Sequence, residues 1–215
     1  MTQNPSTAAV RADAPDARRI APDTSDAPPA GSRAVTSAAR SRVSPLVAAA
    51  AGALAVALAS QVAVPLPGTP VPMTLAPLAV LLVGGLLGPR LGPASLVLYL
   101  VLGAAGLPVF TPGGAPGLAR LIGPTGGYLL AYPLAAALVG WVAARQPGWS
   151  GAVAGPLLGM VAVHAGGVAQ LVILTGSARL AVAAGTLPFA LGDAVKVALA
   201  ALVLRRTLPL IRALR

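Results

Sequence analysis

Charged side chains are nearly absent from most of this chain. Between Val43 and Arg215 it holds a single acid, Asp193, and a single lysine, Lys196. Of all residues, 56% are hydrophobic and only 9% are charged, whereas about a quarter of the residues in a soluble domain are charged. Because a water-facing surface cannot be built from so few charged residues, lipid must cover most of the outside. The composition therefore predicts an all-α integral membrane protein that lies in a lipid bilayer.

The formal net charge of +10 does not indicate a nucleic-acid-binding protein. The arginines stand at the ends of apolar runs, where positive charge orients a membrane protein, and aromatic residues do not alternate with them along one face. The chain contains no cysteine, which excludes disulfides and thiolate metal sites. We therefore expect no nucleic acid among the partners.

Six apolar runs predict a bundle of six transmembrane helices. They cover residues 46–64, 71–87, 91–107, 126–144, 152–175 and 187–204. The longer runs reach the roughly 20 residues that cross a hydrocarbon core of about 30 Å. The second and third are shorter, and Gly88-Pro89-Arg90 turns one into the other. The Gly- and Pro-rich loop at 108–124 has the length of a lid or binding loop.

The two ends of the chain differ in composition from this membrane domain of residues 43–208. Residues 1–42 are rich in Ala, Pro, Ser, Asp and Arg, which predicts a disordered N-terminal tail. This tail lacks the short apolar core of a secretion signal. Residues 209–215 form a basic C-terminal tail.

The distribution of arginines predicts the orientation in the membrane. With the N-terminus inside, only Arg120 and Arg179 near the span ends fall outside. The cytoplasmic side then receives eight: Arg40, Arg42, Arg90, Arg145, Arg205, Arg206, Arg212 and Arg215. We therefore expect both tails to be cytoplasmic and the protein to cross the cell membrane several times.

The sixth run contains two charged residues, and their presence inside a membrane span needs an explanation. Asp193 and Lys196 are three residues apart and share one helical face, and each charge near mid-bilayer costs roughly 2.5–3.5 kcal/mol. One interpretation is a structural ion pair facing the bundle. The other is recognition of a small polar group that presents both N–H donors and a carbonyl, such as a urea. In the orientation above, Asp193 lies roughly 9 Å below the outer start of its helix.

A glycine-rich segment precedes the fourth run. Gly126 and Gly127 permit close backbone approach, and Tyr128 supplies an apolar ring with a hydroxyl. A phosphate loop is a poor fit, because no Lys-Ser or Lys-Thr follows the glycines. The segment is either part of a pocket wall or a tight entry into a helix. Arg120, just upstream, either holds a ligand carboxylate or faces water.

The first run contains two rows of small residues at four-residue spacing, Ala49-Ala53-Ala57 and Ala51-Ala55-Ala59. Such rows let helices approach closely in lipid. The face of Ala49, Ala53 and Ala57 binds either another helix of the same chain or a partner protein.

The sequence offers little for catalysis. The single histidine, His164, is interpreted as a hydrogen-bonded packing residue. No metal-ligand set, no Ser–His–acid spacing and no nucleotide-binding loop is present in the sequence. We expect no enzyme activity, no cofactor and no metal, and any ATP used for active transport must be hydrolysed by another chain.

Three segments and the last helix together resemble the BioY family, the biotin-binding membrane subunits (S components) of energy-coupling-factor (ECF) transporters. The segments are Leu86-Leu87-Gly88-Pro89-Arg90-Leu91-Gly92, Gly103-Ala104-Ala105-Gly106-Leu107-Pro108-Val109-Phe110 and Gly123-Pro124-Thr125-Gly126-Gly127-Tyr128-Leu129. Pro188-Phe189, Gly192-Asp193 and Lys196 add to the likeness, which covers residues 46–204.

The resemblance implies six helices, a biotin pocket near the outer surface, and ligand contacts by Asp193 and Lys196. It also implies association with a transmembrane coupling protein and a pair of ABC ATPases, with the alanine-rich first helix as the docking face. The loop at 111–117 is richer in proline here than in the family. Three alternatives remain: the same architecture for another small vitamin, a membrane-embedded enzyme that uses Asp193, and a purely structural subunit.

Overall fold

The computed structural model of the protein describes the backbone of residues 44–213 and the side chains of residues 44–210. The tail predicted for residues 1–42 lies outside the described residues, as do the side chain of Arg212 and all of Arg215. The described residues belong to one compact unit, Val43–Arg215.

The described chain is helical apart from one short strand pair. The helices are α1 (Pro45–Gln61), α2 (Ala76–Ala104), α3 (Leu118–Ile122), α4 (Gly126–Arg145), α5 (Gly148–Thr175), α6 (Ala178–Gly185) and α7 (Ala190–Ala213). A 3-10 turn, Leu187–Phe189, connects α6 to α7. Strands β1 (Ala63–Val64) and β2 (Met73–Thr74) pair antiparallel between α1 and α2. The prediction of a helical protein is confirmed.

Among the described residues, four helical stretches are long and apolar enough to cross a membrane: Ala76–Ala104, Gly126–Arg145, Gly148–Thr175 and Ala178–Leu210. Helix α1 is also apolar but has only 17 residues. Long apolar helices whose large side chains are widely exposed require a lipid environment. The chain is therefore a multi-pass membrane protein.

Helix α2 is two helical arms that meet at Gly88. This glycine has φ 85° and ψ −174°, a non-helical backbone conformation that residues with a Cβ rarely adopt. A Cβ placed on Gly92 would lie 3.0 Å from Gly84 Cα, although residues eight apart in a straight helix are about 12 Å apart. The chain therefore folds back on itself where Gly88-Pro89-Arg90 predicted a turn.

Small residues hold the helices at short range around α4, which packs between α2 and α5. A Cβ on Gly84 of α2 would lie 2.6 Å from the carbonyl oxygen of Ala136 in α4. A Cβ on Gly159 of α5 would lie 2.6 Å from the Val139 side chain of α4. Such contacts are what bind helices together in lipid, where no hydrophobic effect acts between them.

The first alanine row of α1 (Ala49, Ala53, Ala57) is buried. Helix α1 packs on α2, and a side chain at Gly52 would meet Ser95 of that helix. This corrects the docking role predicted for the row, because its side chains face the chain's own interior. Ala51 and Ala55 of the second row are exposed instead.

Candidate functional site

A cleft opens among five helices at one end of the bundle. Its polar lining comes from β2, α3, α4, α5, α7 and the loops before α3 and α4, namely Thr74, Thr111, Arg120, Thr125, Tyr128, Tyr132, His164, Asp193 and Lys196. Apolar side chains complete the wall, among them Met73, Met160, Val163 and Phe189. A mostly apolar cleft with a few converging polar groups is typical of a ligand site.

Asp193 stands at the centre of a buried cluster of charges. Lys196 Nζ donates a hydrogen bond to Asp193 Oδ1 at 2.8 Å, one helical turn along α7. His164 Nε2, on α5, lies 2.7 Å from Asp193 Oδ2. Asp193 and Lys196 are 7% and 5% exposed, so the carboxylate is neutralised inside the protein and held in one orientation from two sides.

The carbonyl of Gly185, the last residue of α6, contacts one side chain of α4 and one of α5 beside this cluster. Tyr128 donates its hydroxyl hydrogen to Gly185 O at 2.6 Å, and His164 Nδ1 lies 3.2 Å from the same oxygen. The ring of Tyr128 meets the His164 ring edge-on, with centroids 6.1 Å apart. The end of α6 thus fixes two side chains of the cleft wall.

Arg120 approaches the cleft from α3 and contacts the loop that precedes it. Its guanidinium donates a hydrogen bond to the carbonyl of Thr111. Partial burial lowers the pKa of the Arg120 guanidinium, and the nearby Tyr99 hydroxyl opposes that shift. Arginine nevertheless stays protonated in proteins, so Arg120 presents a cation to the cleft. A second cleft beneath residues 106–117 shares Thr111 and Arg120 with the first.

Two contacts of Phe110 hold the loop between α2 and α3 in place. Phe110 is buried and packs edge-to-face on Tyr99, with centroids 5.3 Å apart. Gln61, at the end of α1, donates to the carbonyl of Phe110 at 3.3 Å. These contacts hold Thr111 at the rim of the cleft.

Gly126 and Gly127 do not line the cleft; they bring α4 close to its neighbours. A Cβ on Gly127 would collide with the carbonyl oxygen of Gly166 in α5, and one on Gly126 with that of Leu121. Gln170 of α5 links this region to α3, since its Nε2 donates a hydrogen bond to the carbonyl of Leu121 at 3.0 Å. The structure thus brings together four predicted site residues, Arg120, Tyr128, Asp193 and Lys196, and gives the two glycines a packing role.

Sequence reasoning missed several residues of the cleft. His164 was interpreted as a packing residue, yet it lines the cleft and contacts Asp193. A single histidine in a chain with a single intramembrane acid was the signal that would have paired them. Tyr132 lies one helical turn after Tyr128 and was recoverable from that spacing. Nothing in the sequence pointed to Met73 or Met160.

Acidic and histidine side chains are few around the cleft. Over the described residues, no group of three or more histidine, cysteine or acidic side chains is placed to hold a metal ion. Asp193 also has no second acid beside it within residues 44–210. The arrangement supplies hydrogen-bond donors and acceptors for a ligand.

Comparison with known proteins decides the family. The sequence profile of the BioY family matches residues 32–213. The chain belongs to the BioY family. A probable biotin transporter BioY from Pyrococcus horikoshii is 38% identical over 137 residues, which cover 64% of this chain and 80% of the relative. The biotin transporter BioY from Thermotoga maritima is 36% identical over 143 residues, or 66% and 83% of the two chains.

A solved structure agrees with this membership. The crystal structure of the S-component for biotin from an ECF-type ABC transporter matches with a TM-score of 0.69 and 29% identity. The match covers 75% of this chain and 89% of that one. The fold of this BioY chain is therefore that of a transporter S-component.

Proposed function

We propose that this chain is the biotin-binding, substrate-capture subunit of a vitamin uptake transporter. The observation that carries the proposal is the convergence of Asp193, Lys196 and Arg120 on one cleft in a family whose named members are biotin transporters. The chain acts by binding and changing conformation, with no bond made or broken, and is not an enzyme.

The ureido ring of biotin is assigned to the Asp193–Lys196 end of the cleft. A ureido group presents N–H donors and a carbonyl acceptor. Asp193 supplies acceptor oxygens with lone pairs left over from its two contacts, and Lys196 supplies N–H donors beyond the one used on Asp193. The rings of Tyr128 and Phe189 border the same space and are suited to the apolar thioether ring.

The valerate carboxylate is assigned to Arg120. The guanidinium carries five N–H donors in a planar fork that matches a carboxylate, and its contact with the Thr111 carbonyl uses only part of that capacity. A ligand carboxylate between Arg120 and the rim would also hold the loop at Thr111 over the cleft.

Six crossings are proposed: α1, the two arms of α2 on either side of Gly88, α4, α5 and α7. The short arms are supported by burial against their neighbours. Both termini are placed in the cytoplasm of a bacterium, because this leaves Arg120 and Arg179 as the only span-end arginines outside. The cleft, which contains Arg120, then opens outward. The division into a tail at 1–42, a membrane domain at 43–208 and a tail at 209–215 belongs to the same proposal.

A transmembrane coupling protein and a pair of ABC ATPases are proposed as the partners that energise uptake. Support comes from the structural match to an S-component of an ECF-type ABC transporter. The exposed small residues Ala51 and Ala55 of α1, flanked by exposed Leu54 and Leu58, offer a face for close helix contact.

Equilibrium binding of biotin to the detergent-purified protein tests the substrate, with thiamine and riboflavin as controls. We expect selective biotin binding that Asp193→Asn weakens while the protein stays inserted and folded. Selective binding of another vitamin would replace the substrate and keep the architecture. Turnover of a bound ligand would favour the enzyme, and failure of a folded protein to bind any of the three would favour the structural subunit.

The role of Arg120 is tested with two ligands and a matched control. Biotin should bind roughly 10- to 100-fold more tightly than its neutral amide, because a charge-assisted hydrogen bond contributes about 1.5–3 kcal/mol. In Arg120→Gln this ratio should fall to a few-fold. Arg179→Gln, at an exposed arginine that does not line the cleft, should keep the wild-type ratio. An unchanged ratio in Arg120→Gln would remove the valerate assignment.

A further inference from the structure

His164 has a hydrogen-bond acceptor at each ring nitrogen. Nδ1 lies 3.2 Å from the carbonyl oxygen of Gly185. A carbonyl oxygen has no hydrogen to give, so it only accepts. The Gly185 carbonyl is thus placed to accept from an N–H at Nδ1.

The second nitrogen faces a carboxylate. Nε2 lies 2.7 Å from Asp193 Oδ2, while Asp193 Oδ1 accepts from Lys196 Nζ. If Nε2 carried no hydrogen, its lone pair would point at a carboxylate oxygen at hydrogen-bond distance, which is repulsive. A hydrogen therefore lies between His164 and Asp193, so the carboxylate is held by α5 as well as by Lys196 of α7.

The surroundings of the ring do not compete for this proton. The titratable groups that face the cleft from the neighbouring elements are Tyr128 and Tyr132 of α4, Asp193 and Lys196 of α7, and Arg120 of α3. The tyrosines are neutral at neutral pH, and Asp193 is the single acid among residues 44–210. Among the residues that line the cleft, Asp193 is therefore the one carboxylate that His164 can contact.

We propose that His164 is a positioning residue: held between the Gly185 carbonyl and Asp193, it fixes the carboxylate plane on which the ligand's ureido N–H groups are received. Lys196 contacts only Oδ1 of the carboxylate. The second contact, from α5 to Oδ2, sets the direction of the remaining lone pairs. The ligand part rests on the proposed function, whereas the contact between His164 and Asp193 does not.

The contact with Asp193 can be measured directly because the chain contains one histidine. Protein labelled with 15N-histidine and purified through a tag without histidines gives a single imidazole to follow by NMR. We expect Nε2 to carry a hydrogen in the wild-type protein without ligand, and its signal to shift in Asp193→Asn. A wild-type ring whose Nε2 carries no hydrogen would overturn the proposal.

The positioning role is tested by two substitutions. His164→Gln retains an N–H donor toward Asp193 and cannot titrate, whereas His164→Leu has no donor. We expect biotin affinity within a few-fold of wild type for Gln and a roughly 10- to 100-fold loss for Leu. Because Gln tests rescue, the result stands even if the Leu variant does not fold.

Two results separate this proposal from the one it rests on. If wild type binds biotin and all three residues at position 164 give equal affinity, His164 does not position Asp193. If wild type does not bind biotin at all, the substrate assignment fails and with it the ligand part of this proposal, while the NMR experiment still decides the contact between His164 and Asp193.

Discussion

Replacing Gly185 by alanine tests whether the end of α6 organises the cleft. A Cβ at this position would lie 2.5 Å from Tyr128 Oη and 2.6 Å from Leu171 Cδ1. The Leu171 methyl is the far end of a flexible side chain and can move. The Tyr128 hydroxyl is held by its 2.6 Å hydrogen bond to the Gly185 carbonyl, so the new methyl must displace it or the backbone that also binds His164.

The size of the effect follows from these two contacts. Overpacking a tight site costs about 1–3 kcal/mol, and losing the Tyr128 hydrogen bond alone, as in Tyr128→Phe, costs about 0.5–1.5 kcal/mol. If the two acted independently, the double variant would lose roughly 1.5–4.5 kcal/mol. Phenylalanine, however, has no hydroxyl to collide with the methyl of Gly185→Ala. The double variant should therefore lose about 1–2 kcal/mol less than the sum, a coupling typical of residues in contact.

The assay is a double-mutant cycle read by thermal unfolding in detergent and by biotin affinity. For a chain of this size, 1 kcal/mol corresponds to roughly 2–4 °C in Tm. Gly185→Ala should also weaken biotin binding by roughly tenfold. This corresponds to a loss of about 1.4 kcal/mol of binding free energy, which is within the overpacking cost given above. Gly155→Ala is the control, because its Cβ would meet nothing closer than Val139 O at 3.3 Å. Strict additivity of the two substitutions would refute the assigned contact between Gly185 and Tyr128.

Two further predictions concern the frame of the cleft. Gly84→Ala should lower stability by up to about 2 kcal/mol, because overpacking against the backbone of Ala136 costs about 1–3 kcal/mol and helix propensity returns about 1 kcal/mol. A Tm equal to that of Gly155→Ala, which gains the same propensity with a looser contact, would contradict this. Gln170→Leu should speed biotin dissociation roughly tenfold with little change in Tm, because the Leu121 carbonyl loses the donor that holds α3. An unchanged dissociation rate would show that this hydrogen bond does not hold α3 in place.

The elements that the sequence predicts well are those dictated by chemistry at single positions. The scarcity of charge predicts lipid surroundings, and Gly88 with the following proline predicts the reversal in α2 because few other residues adopt that backbone conformation. The spacing of Asp193 and Lys196 predicts a shared face, and the structure places both in the cleft. In each case the local pattern admits few alternatives.

The elements that the sequence leaves open depend on partners distant in the chain. The two alanine rows of α1 have the same spacing and composition, and only the packing of α1 on α2 decides that Ala53 is buried and Ala55 exposed. Helix α6 was not predicted, because Ala178–Gly185 is short and continuous in composition with its neighbours. Without a prediction of α6, the Gly185 carbonyl cannot be placed beside His164. A role for His164 therefore cannot be derived from the sequence.

Under the proposed function, the charge of the cleft gives a physical reason to select biotin. Asp193 and Lys196 neutralise each other, which leaves the positive charge of Arg120. A positive cavity in a low-dielectric protein costs energy when empty, and a ligand with one carboxylate compensates that charge. A cationic vitamin such as thiamine would add to it instead, and an uncharged one would leave it unchanged. Biotin would then act as a counter-ion as well as a hydrogen-bond partner. Because it binds the folded state, saturating it at about 100 times its Kd should stabilise the protein by about 2.7 kcal/mol.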